Sequence, residues 1–145
     1  KRMTSTAPDG PCSIEPLHNL PIPNPSKEVV VLGIEGSANK VGVAVLRYVP
    51  PPLDSDNAFG TYETLSNPRK TYIAPLGHGF LPKETSWHHQ NHIVALVKSA
   101  LDEAYPNEPN AQKHLSAICY TKGPGMGGPL KSCAIAARTL SLMFN

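Results

Sequence analysis

Residues 115–144 read LSAICYTKGPGMGGPLKSCAIAARTLSLMF, and the fold follows from them. The short apolar run at 117–120 is bounded by a glycine cluster, which predicts a buried strand. Pro129 suits the first turn of a helix, where its missing N–H needs no partner. Beyond it Leu130, Cys133, Ala137, Leu140 and Phe144 recur at three- and four-residue spacing and make one apolar helical stripe. The unit is strand, glycine turn, helix. Such a turn directs backbone N–H groups, and the positive end of a helix, at whatever lies above the strand. Four of the eleven glycines fall between Gly123 and Gly128, so a phosphate-binding geometry is expected on physical grounds. The same glycines read equally well as a plain tight turn. A P-loop is not expected: it carries Lys directly after its last glycine, whereas Pro129 and Leu130 separate Gly128 from Lys131. A dinucleotide fingerprint is not expected either, on the reading that no G-x-G-x-x-G occurs.

The 145 residues suffice for one domain, and the net charge of +2 is too small to mark a nucleic-acid binder. The three cysteines (Cys12, Cys119, Cys133) are odd in number and lack metal-ligand spacing. Cys119 and Cys133 lie among apolar neighbours and are expected to be small core residues. No apolar run approaches membrane-spanning length and no signal peptide is visible, so a soluble protein of a reducing compartment is expected.

Residues 1–27 hold six of the sixteen prolines without apolar periodicity, which predicts a disordered tail, with Met3 a candidate start. The continuous apolar run at 29–34 predicts a strand covered on both faces. A Glu-Gly-Ser-Ala-Asn-Lys turn and a second valine-rich run at 41–46 complete a hairpin. About 48–61, with three consecutive prolines, is expected to be an insertion loop. A third strand is expected from near Tyr62, broken at Asn67-Pro68 and resuming over 69–74. A helix follows over about 85–105, capped by Thr85 or Ser86 and stopped before Pro106. Ile93, Val97, Ala100 and Ala104 form its core stripe, broadened by Leu96 and Leu101. The order β-β-β-α-β-α implies an α/β fold with a mixed sheet and two packed helices.

His88, His89 and His92 fall on that helix, and the i, i+4 pair His88 and His92 can face one ion. A zincin would place Glu directly after the first His, where this chain has His89, and no third ligand is near in sequence. The segment is read as a partly exposed polar face, with one histidine packing toward the glycine turn, and no metal site is assigned.

Taken in order, residues 31–43 (VLGIEGSANKVGV), Asn67 with Thr71 and Tyr72, GFLP at 79–82, His88-His89, YTKGPGMG at 120–127 and AART at 136–139 resemble one family. It is the catalytic subunit of the KEOPS/EKC complex, a tRNA threonylcarbamoyladenosine synthase of the actin-like ATPase superfamily. The EGSANK form resembles the eukaryotic cytosolic branch, and the insertion a fungal one. The resemblance implies a truncated N-terminal actin-like half-domain over 28–145, incomplete at its C-terminus. It also implies transfer of threonylcarbamoyl from threonylcarbamoyl-AMP to the adenosine following the tRNA anticodon. Glu35, Gly36, Ser37 and Ala38 are then the first phosphate-facing loop, and Gly123, Pro124, Gly125, Met126 and Gly127 the second. Lys40 and Lys122 are placed to add positive potential.

The family's metal-binding His-x-x-x-His would lie beyond Asn145, so neither catalytic nor metal residues are expected within the chain, which alone is expected to be inactive. The family implies a divalent metal or iron and an adenylate or ATP, none held tightly by this chain. It implies as partners a small helix-docking subunit, a kinase-like subunit and, through the complex, tRNA, with no membrane. Cytoplasmic and nuclear localisation follows. Ala134, Ala136, Ala137, Leu142, Met143 and Phe144 are the expected docking surface. Trp87, Gln90, Gly128 and Lys131 depart from the family's usual residues. They keep open a second reading, a non-catalytic scaffold of the same superfamily. A sugar- or acetate-kinase-like phosphotransferase is disfavoured, because such relatives carry Asp-x-Gly-Thr where this chain has Glu-Gly-Ser-Ala.

Overall fold

The computed structural model describes residues 26–52 and 60–144. Residues 1–25 of the expected tail and 53–59 of the expected insertion lie outside them. The described elements are β1 (Val29–Glu35), β2 (Lys40–Val49), β3 (Thr61–Ser66), β4 (Arg69–Thr71), α1 (Pro82–Ala104), a 3-10 turn (Ala111–His114), β5 (Ala117–Tyr120) and α2 (Gly127–Met143). The sheet runs β3-β2-β1-β5, with β4 also paired to β2. β1–β2, β2–β3 and β2–β4 are antiparallel and β1–β5 is parallel, so the expected mixed α/β sheet is present.

β3 and β4 are the two halves of the expected broken third strand, lying end to end along β2. Pro68 has no N–H to give, yet its carbonyl accepts from Val43 (3.0 Å) and keeps the two halves aligned. β4 ends at Thr71 rather than Ala74. The insertion is shorter than expected at both ends, because β2 continues to Val49 and β3 starts at Thr61. An Arg47–Glu63 ion pair and the Tyr48 and Tyr62 rings, 5.3 Å apart, zip that part of the ladder.

Both helices pack on one face of the sheet. Val30, Leu32 and Ile34 of β1 and Val41, Val43 and Val45 of β2 point into a core shared with Ile93, Leu96, Val97, Ala100 and Leu101 of α1 and with Cys133 and Ala137 of α2. The intervening β1 positions Val29, Val31 and Gly33 are only half-buried, so β1 is not covered on both faces as its continuous apolar run predicts. Cys119 is likewise exposed rather than a core residue, because strand alternation turns it toward the open face beside Gly33 and Ala44. Cys133 is buried as expected.

α1 starts earlier than the polar residues suggest. Leu81 takes the capping position, and Pro82 opens the helix where a missing N–H costs nothing. Thr85 is not a cap: it lies buried in the first turn and donates its hydroxyl to the Leu81 carbonyl (2.8 Å). α2 similarly starts at Gly127, ahead of Pro129. Among the described residues no helix is long and apolar enough to cross a membrane.

Candidate functional site

The parallel pairing of β1 with β5 runs from Val31–Ala117 to Ile34–Tyr120, so both strands leave the sheet side by side at the same end. In α/β sheets the crevice beyond such strand ends is where ligands bind. The Thr121 amide extends the ladder by donating to the Ile34 carbonyl (3.1 Å), and the Met126 amide then donates to the Ser37 carbonyl (2.7 Å). That bond ties the Glu35–Ala38 segment to the Gly123–Gly127 segment. The structure therefore brings together the two loops that the sequence marks separately.

The first loop is held tightly. The Glu35 carboxylate accepts from the Ser37 amide (2.8 Å) and from the Ser37 hydroxyl (2.5 Å). Asn39 exchanges two bonds with Tyr72: its carbonyl accepts from the Tyr72 amide (2.7 Å) and its side-chain amide donates to the Tyr72 carbonyl (3.2 Å). Gly125 lies so close that an added Cβ would stand 2.7 Å from the Ser37 Cβ and 2.9 Å from its Cα, nearer still to the carbonyl oxygen. Only glycine allows this approach.

The second loop ends at the start of α2. No side chain caps this helix and no acidic residue lies in its first turn, so the positive end of the helix is left for an outside group. A Cβ on Gly127 would meet nothing within 4 Å, which places that position at the open mouth of the site. The Lys40 and Lys122 side chains are exposed near the same end. The Ser37 and Met126 amides are already taken by Glu35 and by the Ser37 carbonyl, so an anion resting here would meet the remaining amides of the two turns and the N-terminus of α2.

His88 and His92 sit with ring centroids 4.6 Å apart, and the Tyr72 ring lies 5.9 Å from that of His88. Burial, then the neighbouring His92 and His89, lower the pKa of His88. Among the described residues no group of three or more His, Cys, Asp or Glu is placed to hold a metal ion. His89 does pack toward a loop, but the first one: it is fully buried under Gly36.

The family described as TsaD, tRNA N6-adenosine threonylcarbamoyltransferase, matches residues 61–145. The chain belongs to this family. The tRNA N6-adenosine threonylcarbamoyltransferase of Yarrowia lipolytica is 50% identical over 113 residues, 78% of this chain and 31% of the relative. That of Candida albicans is 50% identical over 116 residues, 80% and 29%, and that of Saccharomyces cerevisiae 45% over 132 residues, 89% and 34%. The chain thus spans about a third of the length of the curated relatives it matches. Among solved structures, YeaZ from Pseudomonas aeruginosa superposes with a TM-score of 0.46 at 19% identity, over 80% of this chain and 40% of that one.

One expectation from the motif spelling needs correction in this TsaD-family chain. Residues 123–128, GPGMGG, satisfy the letters G-x-G-x-x-G after a strand and before a helix, so spelling alone does not exclude a dinucleotide fingerprint. The topology does, since β1 beside this unit is paired antiparallel to β2, unlike the parallel strands of a doubly wound sheet. Two features of this TsaD-family chain escape sequence reasoning. His89 and Cys133, from different helices, form the floor under Gly36. Gln90 donates to both Ser86 and Ser132 (3.2 Å each), which are 3.1 Å apart, and Ser132 donates to the Gly128 carbonyl (3.0 Å). Two of the family departures, Gln90 and Gly128, therefore meet at the seam between α1 and the first turn of α2. A Cβ on Gly128 would stand 3.2 Å from the Ser86 Cβ, so glycine fits that seam closely. Trp87, a third, is half-exposed with the Lys83 ammonium 4.8 Å from its ring, a cation–π pair. Lys131 is exposed, and nothing in the structure explains it.

Proposed function

We propose that this chain supplies the phosphate-facing wall of a tRNA threonylcarbamoyl transferase. The observation that supports the reading is the joining of the two glycine loops at one sheet end, by the Met126–Ser37 bond, in a chain of the TsaD family. The donor in this reading is threonylcarbamoyl-AMP, a mixed anhydride. The exocyclic amine of the tRNA adenosine forms a bond to the carbamoyl carbon, the carbon–oxygen bond to the phosphate breaks, the amine loses a proton, and AMP leaves carrying the negative charge. A site for this chemistry must hold and orient a phosphate, which amide-rich loops and a helix N-terminus do well. Glu35, Gly36, Ser37 and Ala38 form one side of the cradle, and Gly123, Pro124, Gly125, Met126 and Gly127 the other.

The divalent metal or iron of the family belongs, in this reading, to the two-thirds of the relatives outside the matched segment. The histidines of α1 do not gather a ligand set, so no step is routed through them. The small partner subunit docks on the outer face of the two helices, where Val94, Ile135, Leu142 and Met143 are exposed. Of the expected residues, Leu142 and Met143 are exposed on that face, Ala136 and Phe144 are partly buried against the core, and Ala137 is buried within it. A kinase-like subunit, tRNA reached through the complex, and a cytoplasmic and nuclear location complete the proposal.

A chimera tests it. Residues 26–144 would replace the matched segment of the Yarrowia lipolytica relative, and transfer from threonylcarbamoyl-AMP to tRNA would be measured beside the melting temperature. Transfer at a rate near that of the parent supports the proposal. A chimera that melts with the parent but transfers nothing contradicts it and favours the scaffold reading.

A further inference from the structure

Gly36 is buried although it lies in a loop, and the cause is beneath it. A Cβ at this position would stand 2.6 Å from His89 Cδ2 and 3.0 Å from His89 Nε2, and closer still to Cys133 Sγ. His89 has no exposed surface, and its Nε2 has no hydrogen-bond partner among the described residues. Native proteins pair nearly all buried polar atoms, so an orphan directly under a ligand-facing loop calls for a role. A packing role alone would be met by leucine or phenylalanine, which carry no polar atom to leave unpaired.

We propose that His89 is a positioning residue for the first phosphate-facing loop. Its imidazole supports the backbone at Gly36, and its Nε2 supplies the hydrogen bond that the loop takes up when a phosphate docks above. The inference rests on the reading of the two loops as an adenylate cradle. The groups around the ring agree with it. On α1, His88 Nδ1 approaches His89 Nδ1 (3.5 Å), and His92 lies beyond His88. Cys133 of α2 is a thiol whose pKa burial pushes up to about 11, so it presents no charge. Burial lowers the pKa of the ring most, while the backbone carbonyls of Thr85 and, from the start of β2, Lys40, and then the charge of Glu35, favour its protonated form. Neither carbonyl meets Nε2 with hydrogen-bond geometry. Burial is the larger influence and holds the ring toward its neutral form, in which one nitrogen donates and the other accepts. Such a ring can pair with either a loop amide or a loop carbonyl, according to its tautomer.

The test uses three substitutions in the full chain, with AMP as the probe. In His89→Gln the side-chain amide reaches about as far as Nε2, in His89→Asn only as far as Nδ1, and His89→Leu has no polar atom. Calorimetry gives AMP affinity, thermal unfolding gives stability, and 15N spectra of the imidazoles and backbone amides locate the response. The expected result is that Gln keeps the native affinity within about twofold while Asn and Leu lose about tenfold, as for one hydrogen bond. His89 Nε2 of the native chain should shift on saturation with AMP. If Leu binds as the native chain does and the Nε2 signal stays fixed while the loop amides respond, His89 is packing alone and this proposal fails by itself. Affinity that falls in step with melting temperature across all three variants overturns it too. If AMP moves none of the amides at 35–38 and 123–127, the cradle reading fails and takes the proposal with it.

Discussion

Gly125→Ala should drive the two loops apart. Its Cβ would fall 2.7 Å from the Ser37 Cβ and 2.9 Å from the Ser37 Cα, where ordinary carbon contacts need well over 3 Å. Ser37 cannot swing aside freely, because Glu35 holds both its amide and its hydroxyl. Relief must come from the loops separating, which breaks the Met126–Ser37 bond. Overpacking of this kind costs about 1–3 kcal/mol and the lost bond about 1 kcal/mol more, so about 2–4 kcal/mol in all. For a domain of about 100 residues that lowers Tm by roughly 8–16 °C. Gly127→Ala is the control, since its Cβ meets nothing within 4 Å and should leave Tm within about 2 °C while crowding an anion at the mouth. Thermal unfolding of both variants, with and without AMP, reads the two effects separately. Gly125→Ala melting with the native chain, or Gly127→Ala costing as much as Gly125→Ala, would refute the geometry argued for this turn.

Burial lowers the pKa of both His88 and His89, so the unfolded chain binds more protons than the folded one below the unfolded value of about 6.5. The stability they contribute is whole above that pH and declines as pH falls below it; Tm should drop as pH is lowered through about 6.5, and His89→Gln should flatten the slope. Iodoacetamide at pH 8 should label Cys119, which is exposed, and spare Cys133, whose thiol is buried and raised to about 11, as peptide mass spectrometry would show. Ser66 is buried and donates to the Ala100 carbonyl (2.7 Å), pinning β3 to α1, so Ser66→Ala should cost about 1 kcal/mol in urea unfolding.

The sheet and both helices are legible in the sequence because their signals are local: valine-rich runs, a proline break, and stripes at helical spacing. What misleads is position relative to other elements. The run at 29–34 is apolar at its inner and outer places alike, and only the packing of both helices on one face shows which half is covered. Cys119 reads as core from its neighbours, yet alternation along a strand sets its side, and that depends on the register with β1. Thr85 has the chemistry of a cap, but Pro82 preorganises an earlier start and leaves Thr85 to bond backward inside the first turn. The site splits in the same way. Its two loops announce themselves by glycines and small polar residues, whereas the floor of His89 and Cys133 is assembled from helices 44 positions apart and no local pattern marks it.

The central claim is that the loops at 35–38 and 123–127 together receive the phosphate of an adenylate. A titration of the 15N-labelled chain with AMP, followed through its backbone amide signals, tests this most directly. The account predicts saturable shifts at Gly36, Ser37, Ala38, Gly125, Met126 and Gly127, with the open sheet face around Gly33, Ala44 and Cys119 unmoved. Shifts confined to that face, or none at the two loops at any AMP concentration, would contradict it.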